Sequence, residues 1–289
     1  MNLTTILDMA NISHPDRIAL GPSHDGTTYL ELREQAARGS RVLTDLDAGT
    51  VVFVGTNGPP LPVLAFSSAW AGLPIAPLNY RLPGDQLLAL VRRLDRPVVV
   101  ADDSYLGTFA GTEITAMSVD DFTSRLVAAK PSGVSAEVDE EAVAVILFTS
   151  GTTSAPKGVL LRHSNLISYV LQTVDLGNAG ATDAALVSTP PYHIAGMGTI
   201  LTNVYAGRRM VYLASFSPEA WLDLVRTERI SSAMVVPTML TRVVDHLDGA
   251  PSGTPDLRSI AYGGAGCLYR SSNAPWSHFP IPDSSMHTV

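Results

Sequence analysis

Between Leu147 and Gly158 the chain reads Leu-Phe-Thr-Ser-Gly-Thr-Thr-Ser-Ala-Pro-Lys-Gly, and no other stretch gathers so much chemistry in so few positions. Thr149, Ser150, Thr152 and Thr153 place hydroxyls around Gly151, and Lys157 follows with a mobile positive charge. Glycine permits backbone angles that turn successive N–H groups toward one anion, and a lysine ammonium then neutralises phosphate oxygens. Pro156 limits collapse of the loop when nothing is bound. These are the properties of a loop that holds a nucleoside triphosphate. The run does not fit the Walker arrangement of a glycine, four residues and then Gly-Lys-Ser/Thr. Clusters of serine, threonine and glycine also make ordinary surface loops, so composition alone leaves both readings open.

Such a loop needs a rigid base. Ala142 to Phe148 is a continuous apolar run rich in branched residues, which suits a strand buried on both faces of a parallel sheet. Strand and helix patterns alternate along most of the chain, as in an α/β domain. Thr28-x-x-Glu31 fits a capping box whose helix carries Leu32, Ala36 and Leu43 toward the core. Val51–Val54 and Pro97–Val100 read as buried strands, and Leu64 to Ala71 lies in a helix between them. Ala184 to Ser188, Met210 to Leu213, Ala233 to Val236 and Ser259 to Ala261 read as further strands, and Ser217-Pro218 opens another helix. The polar segment from Lys130 to Glu141 is expected to be a surface connection. Gly55-Thr56-Asn57-Gly58 follows a strand, yet no Gly-x-Gly-x-x-Gly appears. A doubly wound dinucleotide oxidoreductase is therefore a poor fit.

Composition narrows the function classes. With 289 residues and 46% hydrophobic content the chain can bury a large core. A net charge of −8 argues against nucleic acid or an anionic membrane as partner. The first residues lack the basic start and apolar core of a signal peptide, so the cytoplasm is the expected location. Leu61 to Pro77, the most apolar stretch, is short and interrupted by Pro62, Gly72 and Pro74, so no membrane span is expected. The single cysteine, Cys267, excludes a disulfide framework and a cysteine zinc site.

The string from Thr149 to Gly158 resembles the phosphate loop of the adenylate-forming, AMP-binding superfamily, which includes acyl-CoA synthetases. Ser154 stands where that loop has glycine. If the site needs positive φ, the substitution costs about 1 kcal/mol. Three further segments carry the resemblance in order. His163-Ser164-Asn165 matches the His-x-Asn that opens the family's next helix, and Pro191-Tyr192-His193-Ile194-Ala195-Gly196 resembles its Pro-x-Phe/Tyr-His-x-x-Gly segment. Tyr262-Gly263-Gly264-Ala265 resembles its Gly-Gly-Ala turn, although a plain strand-to-loop turn reads the same way.

The resemblance implies an α/β fold, the layered αβαβα large N-terminal domain of these enzymes, incomplete because the terminal β-barrel and small C-terminal domain are missing. It implies an ATP-dependent acid–CoA ligase that forms an acyl-adenylate and then a thioester, with ATP, Mg²⁺ and coenzyme A as cofactors and a small carboxylic acid as partner. On the matching positions it implies Lys157 and His193 as catalytic residues, and Thr149, Ser150, Gly151, Thr152, Thr153, Lys157, Gly263, Gly264 and Ala265 as nucleotide-binding. Tyr192, His193, Gly196 and Gly264 would contact the acyl group, and Thr149 the metal. The small Ala195, Gly196 and Gly198 favour a medium or long acid, while the thiol acceptor, coenzyme A or a carrier protein, stays open.

The resemblance stops at Ala265, so the expected organisation is 1–265 as the AMP-binding domain and 266–289 as an atypical tail. That tail holds the only cysteine, has no lysine or glutamate, and shows neither helix nor strand periodicity. The family should continue with a helix, a strand and then Tyr-Gly-x-Thr-Glu. Regrouping the tail's codons by one base, with allowed synonymous choices, yields MPVPVIERAMESLPDSGFVNAYGM, which has that form. A frameshift is therefore the expected origin of the tail. The chain is then expected to be inactive or severely impaired, with self-association through the face left uncovered. The alternative is a non-catalytic nucleotide- or acyl-binding remnant.

Overall fold

Runs of branched apolar residues become strands here because helices shield them on both faces. A computed structural model describes residues 1–149, 156–262, 279 and 286–288. Helix α1 (Thr4–Ser13) precedes a small antiparallel pair, β1 (Ile18–Leu20) and β2 (Thr27–Thr28). Thr28 then caps α2 (Tyr29–Asp45) with the expected capping box. Its hydroxyl accepts from the Glu31 N–H at 3.1 Å, and the Glu31 carboxylate accepts from the Thr28 N–H at 2.8 Å. Caps of this kind contribute about 1 kcal/mol. Leu32, Ala36 and Leu43 are fully buried, as the spacing predicts.

A first sheet follows. Strand β3 (Thr50–Val54) leads through α3 (Pro60–Ala71) into β4 (Ile75–Pro77), so the apolar stretch from Leu61 is a buried helix running into a strand. Helix α3 packs on α2 at very short range. A Cβ on Gly39 would lie 2.1 Å from Ser67 Oγ, so glycine is what lets the two helices touch. Next come α4 (Gly84–Val91), β5 (Pro97–Ala101), α5 (Asp103–Leu106), β6 (Thr115–Ser118) and α6 (Val119–Ala128). After the 130–141 connection, β7 (Val143–Thr149) and β8 (Lys157–Arg162) complete the order β6-β5-β3-β4-β7-β8.

Strand β8 occupies a stretch that the sequence reading left unassigned, and it alters the expected parallel surroundings of β7. It pairs antiparallel with β7, so β7 has a parallel neighbour only in β4. Strands β7 and β8 thus form the two arms of a hairpin. Helix α7 (His163–Thr173) does open at His163-Ser164-Asn165.

The second sheet uses β9 (Ala184–Val187), α8 (Ile194–Ala206), β10 (Arg209–Tyr212), α9 (Pro218–Thr227), β11 (Ser232–Val235), α10 (Pro237–Leu247) and β12 (Ser259–Tyr262). Ser217 caps α9, its hydroxyl accepting from the Ala220 N–H at 3.1 Å. Met286–Thr288 form β13, parallel to β12, so part of the tail is a strand despite its lack of periodicity. The order is β13-β12-β11-β9-β10-β1-β2. Among the described residues the most buried ion pair is Arg209 to Glu228, at 2.6 Å.

Each sheet reverses direction at one strand. From β3 the chain passes to β4 on one side and later to β5 on the other; from β9 it passes to β10 and then back to β11. Ligands of open α/β sheets bind beyond the carboxyl ends of strands at such reversals.

Candidate functional site

The carboxyl ends of β3 and β9 are joined directly. Asn57, just after β3, donates from Nδ2 to the Thr189 carbonyl, just after β9, at 2.7 Å, and both residues are buried. A second link uses aromatic rings. Tyr80, beyond β4, meets Tyr192 edge-on at 5.8 Å, and Tyr192 lies 4.6 Å from the His193 ring. Strand β4 is also the neighbour of β7, whose end carries Thr149. The segment with Tyr192 and His193 therefore sits beyond the same row of strand ends as Thr149.

The base of that loop is well defined. Thr149 ends β7 and Lys157 begins β8, paired across the hairpin. The Thr149 hydroxyl reaches the Lys157 carbonyl only at 3.5 Å, and both residues are exposed. Arg93 braces the hairpin from α4's side. It donates from Nη1 to the Pro156 carbonyl at 2.7 Å, while its guanidinium lies 5.2 Å from the centre of the Phe148 ring. Such a cation–ring contact contributes about 0.5–1 kcal/mol at an exposed site. Ser150, Gly151, Thr152 and Thr153 lie outside the described residues, as do Ser154, Gly263, Gly264 and Ala265.

His193 precedes α8, and a cavity of about 840 Å³ opens beside it. The cavity runs between α7, α8 and the second sheet, with Leu166, Tyr169, Thr199, Leu186 and Met234 among its walls. His193 is exposed, yet desolvation of its packed side lowers its pKa below the ordinary imidazole value, which keeps the ring neutral at neutral pH. Burial raises the Tyr192 phenol above its usual range, against the opposing pull of Arg81. Tyr192 is therefore a neutral hydroxyl. A neutral imidazole and a neutral phenol can donate or accept hydrogen bonds near a carboxylate without adding charge.

Gly196 does something different from facing the cavity. A Cβ there would lie 3.0 Å from the Pro190 carbonyl oxygen and 3.2 Å from Pro191 Cα, so glycine lets the first turn of α8 close onto the two prolines. The residue is buried and is not among those lining the cavity. Sequence reasoning named Asn57 only within a turn it weighed for a dinucleotide, and it passed over Tyr80 and Arg93, whose partners are distant in the chain and leave no local signal. It also passed over Arg208, which lines the cavity.

Among the described residues no group of three or more His, Cys, Asp or Glu side chains is placed to hold a metal ion. Thr149 contributes only a single neutral hydroxyl. No helix among the described residues is long and apolar enough to cross a membrane.

A family model described as "AMP-binding enzyme" matches residues 7–269. The chain belongs to that family. This AMP-binding chain is similar to the feruloyl-CoA synthase of Amycolatopsis sp, at 28% identity over 257 residues, covering 84% of this chain and 50% of the relative. It is 29% identical over 257 residues to the mitochondrial malonate–CoA ligase ACSF3 of Homo sapiens, covering 81% and 44%. Among solved structures, ATP-bound MatB from Rhodopseudomonas palustris superposes with a TM-score of 0.78 at 25% identity, over 92% of this chain and 55% of that one. The AMP-binding chain thus spans about half the length of the curated relatives it matches.

Proposed function

We propose that this chain supplies the nucleotide- and acyl-binding half of an ATP-dependent acid–CoA ligase. The observation that carries the reading is the contact of Tyr80 with Tyr192, which sets the His193 cavity beyond the same strand ends as the Thr149–Lys157 hairpin. In the first reaction a carboxylate oxygen attacks the α-phosphorus of ATP, a new O–P bond forms, and pyrophosphate leaves with the electrons of the broken bond. In the second, a thiol sulfur attacks the acyl carbon, AMP leaves, and the thiol proton goes to solvent or a base. Positioning and charge neutralisation supply most of the rate in the first step.

Lys157 and the loop N–H and hydroxyl groups of 149–153 would hold the β- and γ-phosphates. Mg²⁺ would enter bound to ATP, with Thr149 nearby. Gly263, Gly264 and Ala265 would pass along the adenine and the acyl group. His193 and Tyr192 would line the entrance for the acid, whose apolar part would fill the cavity. The relatives' names, feruloyl-CoA synthase and malonate–CoA ligase, agree with a carboxylic acid as substrate.

The same reading holds that a polypeptide of these 289 residues makes little or no thioester. Its sequence has no Tyr-Gly-x-Thr-Glu segment, and the family match ends at residue 269, close to where the tail departs from the expected pattern. A frameshift near Gly266 accounts for both. The test is to titrate ATP into the purified polypeptide by calorimetry and then to assay acid-dependent pyrophosphate exchange and thioester formation. ATP binding with negligible thioester formation is expected. Absence of ATP binding would overturn the nucleotide half of the reading, and robust thioester turnover would overturn the impairment.

A further inference from the structure

One charged group in the cavity has no role in the reactions above. Among the described lining residues Arg208 is the only one with a permanent charge, and the walls around it are mostly apolar. It follows Gly207, the left-handed residue that ends α8, so it lies at the opposite end of that helix from His193. Its backbone is fully used: the N–H donates to the Asn203 carbonyl at 2.9 Å, and its carbonyl accepts from the Tyr29 hydroxyl at 3.0 Å.

The side chain is not used in the same way. Nη1 donates to the neutral Asn203 Oδ1 at 2.9 Å, while Nε is buried with no hydrogen-bond partner among the described residues. No carboxylate among the described residues forms an ion pair with it. The neighbouring acid, Asp183, is already paired with Arg258. Desolvation lowers the pKa of this guanidinium from its ordinary value, against the raising pull of the Asp183 carboxylate. The guanidinium is half-buried and feels the Asp183 carboxylate as a counter-charge, but its one side-chain hydrogen bond among the described residues goes to a neutral amide, and a guanidinium suits a carboxylate as partner.

We propose that the cavity takes a dicarboxylic acid of medium chain length, with one carboxylate at the His193 end for adenylation and the distal carboxylate on Arg208. This rests on the acid–ligase reading above and narrows its substrate class. The distance between the two ends is set by α8. From Ile194 to Asn203, which fixes the guanidinium, the helix rises roughly 14 Å. An extended aliphatic diacid of medium length spans that distance, whereas a very short one cannot reach both ends. Overall charge works against such a preference, because a chain of net charge −8 repels a dianion more than a monoanion. A local cation must therefore be its source.

The test uses the 289-residue polypeptide and calorimetric titration with sebacate, decanoate and ATP. Sebacate is expected to bind at least ten-fold more tightly than decanoate. Arg208→Gln is expected to abolish that difference while leaving decanoate and ATP affinities within about two-fold. Arg208→Lys, which keeps the charge but loses the fork, should retain part of the preference. Equal or tighter binding of decanoate to the unaltered chain would overturn the proposal, and this comparison needs no variant to fold. Survival of the sebacate preference in Arg208→Gln would also overturn it. ATP binding without any sebacate binding would remove this inference and leave the ligase reading standing. Sebacate preference without ATP binding would overturn the ligase reading, and with it adenylation at the His193 end, and leave only the contact of the distal carboxylate with Arg208.

Discussion

Asn57 and Thr189 are 132 positions apart in the chain, yet the Asn57 amide donates to the Thr189 carbonyl at 2.7 Å and joins the two sheets at the strands where each reverses direction. Neither residue has solvent to fall back on, since both are buried. Asn57→Ala leaves the Thr189 carbonyl without this donor and is expected to destabilise the fold by about 1–3 kcal/mol. Urea unfolding of the variant against the parent checks this. An unchanged midpoint would mean that the sheets are held by apolar packing alone.

Lys157 is exposed at the start of β8, so its removal should have little structural effect. Lys157→Ala is expected to change stability by no more than about 0.5 kcal/mol. If the lysine serves ATP phosphates, affinity for ATP should fall by about ten-fold or more, of the order of a lost charge-assisted contact. Thermal unfolding and calorimetry on the same preparation separate the two effects.

Gly196 distinguishes packing from ligand contact. Gly196→Ala places a methyl group 3.0 Å from the Pro190 carbonyl oxygen, backbone that cannot move aside cheaply. The expected cost is about 1–3 kcal/mol. Acid affinity measured well below the melting temperature should change less than stability does. The opposite pattern would put Gly196 against the ligand.

His163 is buried, and its Nδ1 accepts from the Leu3 N–H at 3.2 Å. Protonating Nδ1 would break that bond. Burial first, and then the N-terminal charge, lower the folded-state pKa below the ordinary imidazole value of about 6.5. The unfolded chain therefore binds the proton more readily than the folded one. The contribution of this histidine is present above about pH 6.5 and is lost as pH falls through the depressed folded value. Stability of the parent should drop more steeply than that of His163→Gln between pH 7.5 and pH 5.5 in urea unfolding.

The gene itself tests the origin of the tail. Sequenced from the codon for Tyr262 onward, its shifted frame is expected to continue through Tyr-Gly-x-Thr-Glu and beyond. A shifted frame that closes within a few codons would make residues 266–289 a native end of the domain.

Much of the fold was legible in the sequence because it depended on local rules. Val51–Val54 and Pro97–Val100 had to be shielded strands, Thr28 and Glu31 a capping box, and Ser217-Pro218 a helix start. The opening of α7 at His163 was also legible. Strand β8 was not. Its Val159 and Leu160 are exposed, it shows no alternation, and it is a strand only because β7 offers hydrogen bonds along one edge.

The sequence by itself therefore determined the buried core strands, the helix starts at Thr28, His163 and Ser217, and the family. Each follows from neighbouring residues and from patterns of burial that a few positions express. Only the tertiary structure decided that Asn57 meets Thr189, that Tyr80 meets Tyr192, that Gly196 serves the Pro190–Pro191 contact, and that Arg208 lines the cavity. These relationships depend on how two sheets pack at their strand ends. Groups distant in the chain come within hydrogen-bonding distance there because burial removes water as their alternative partner.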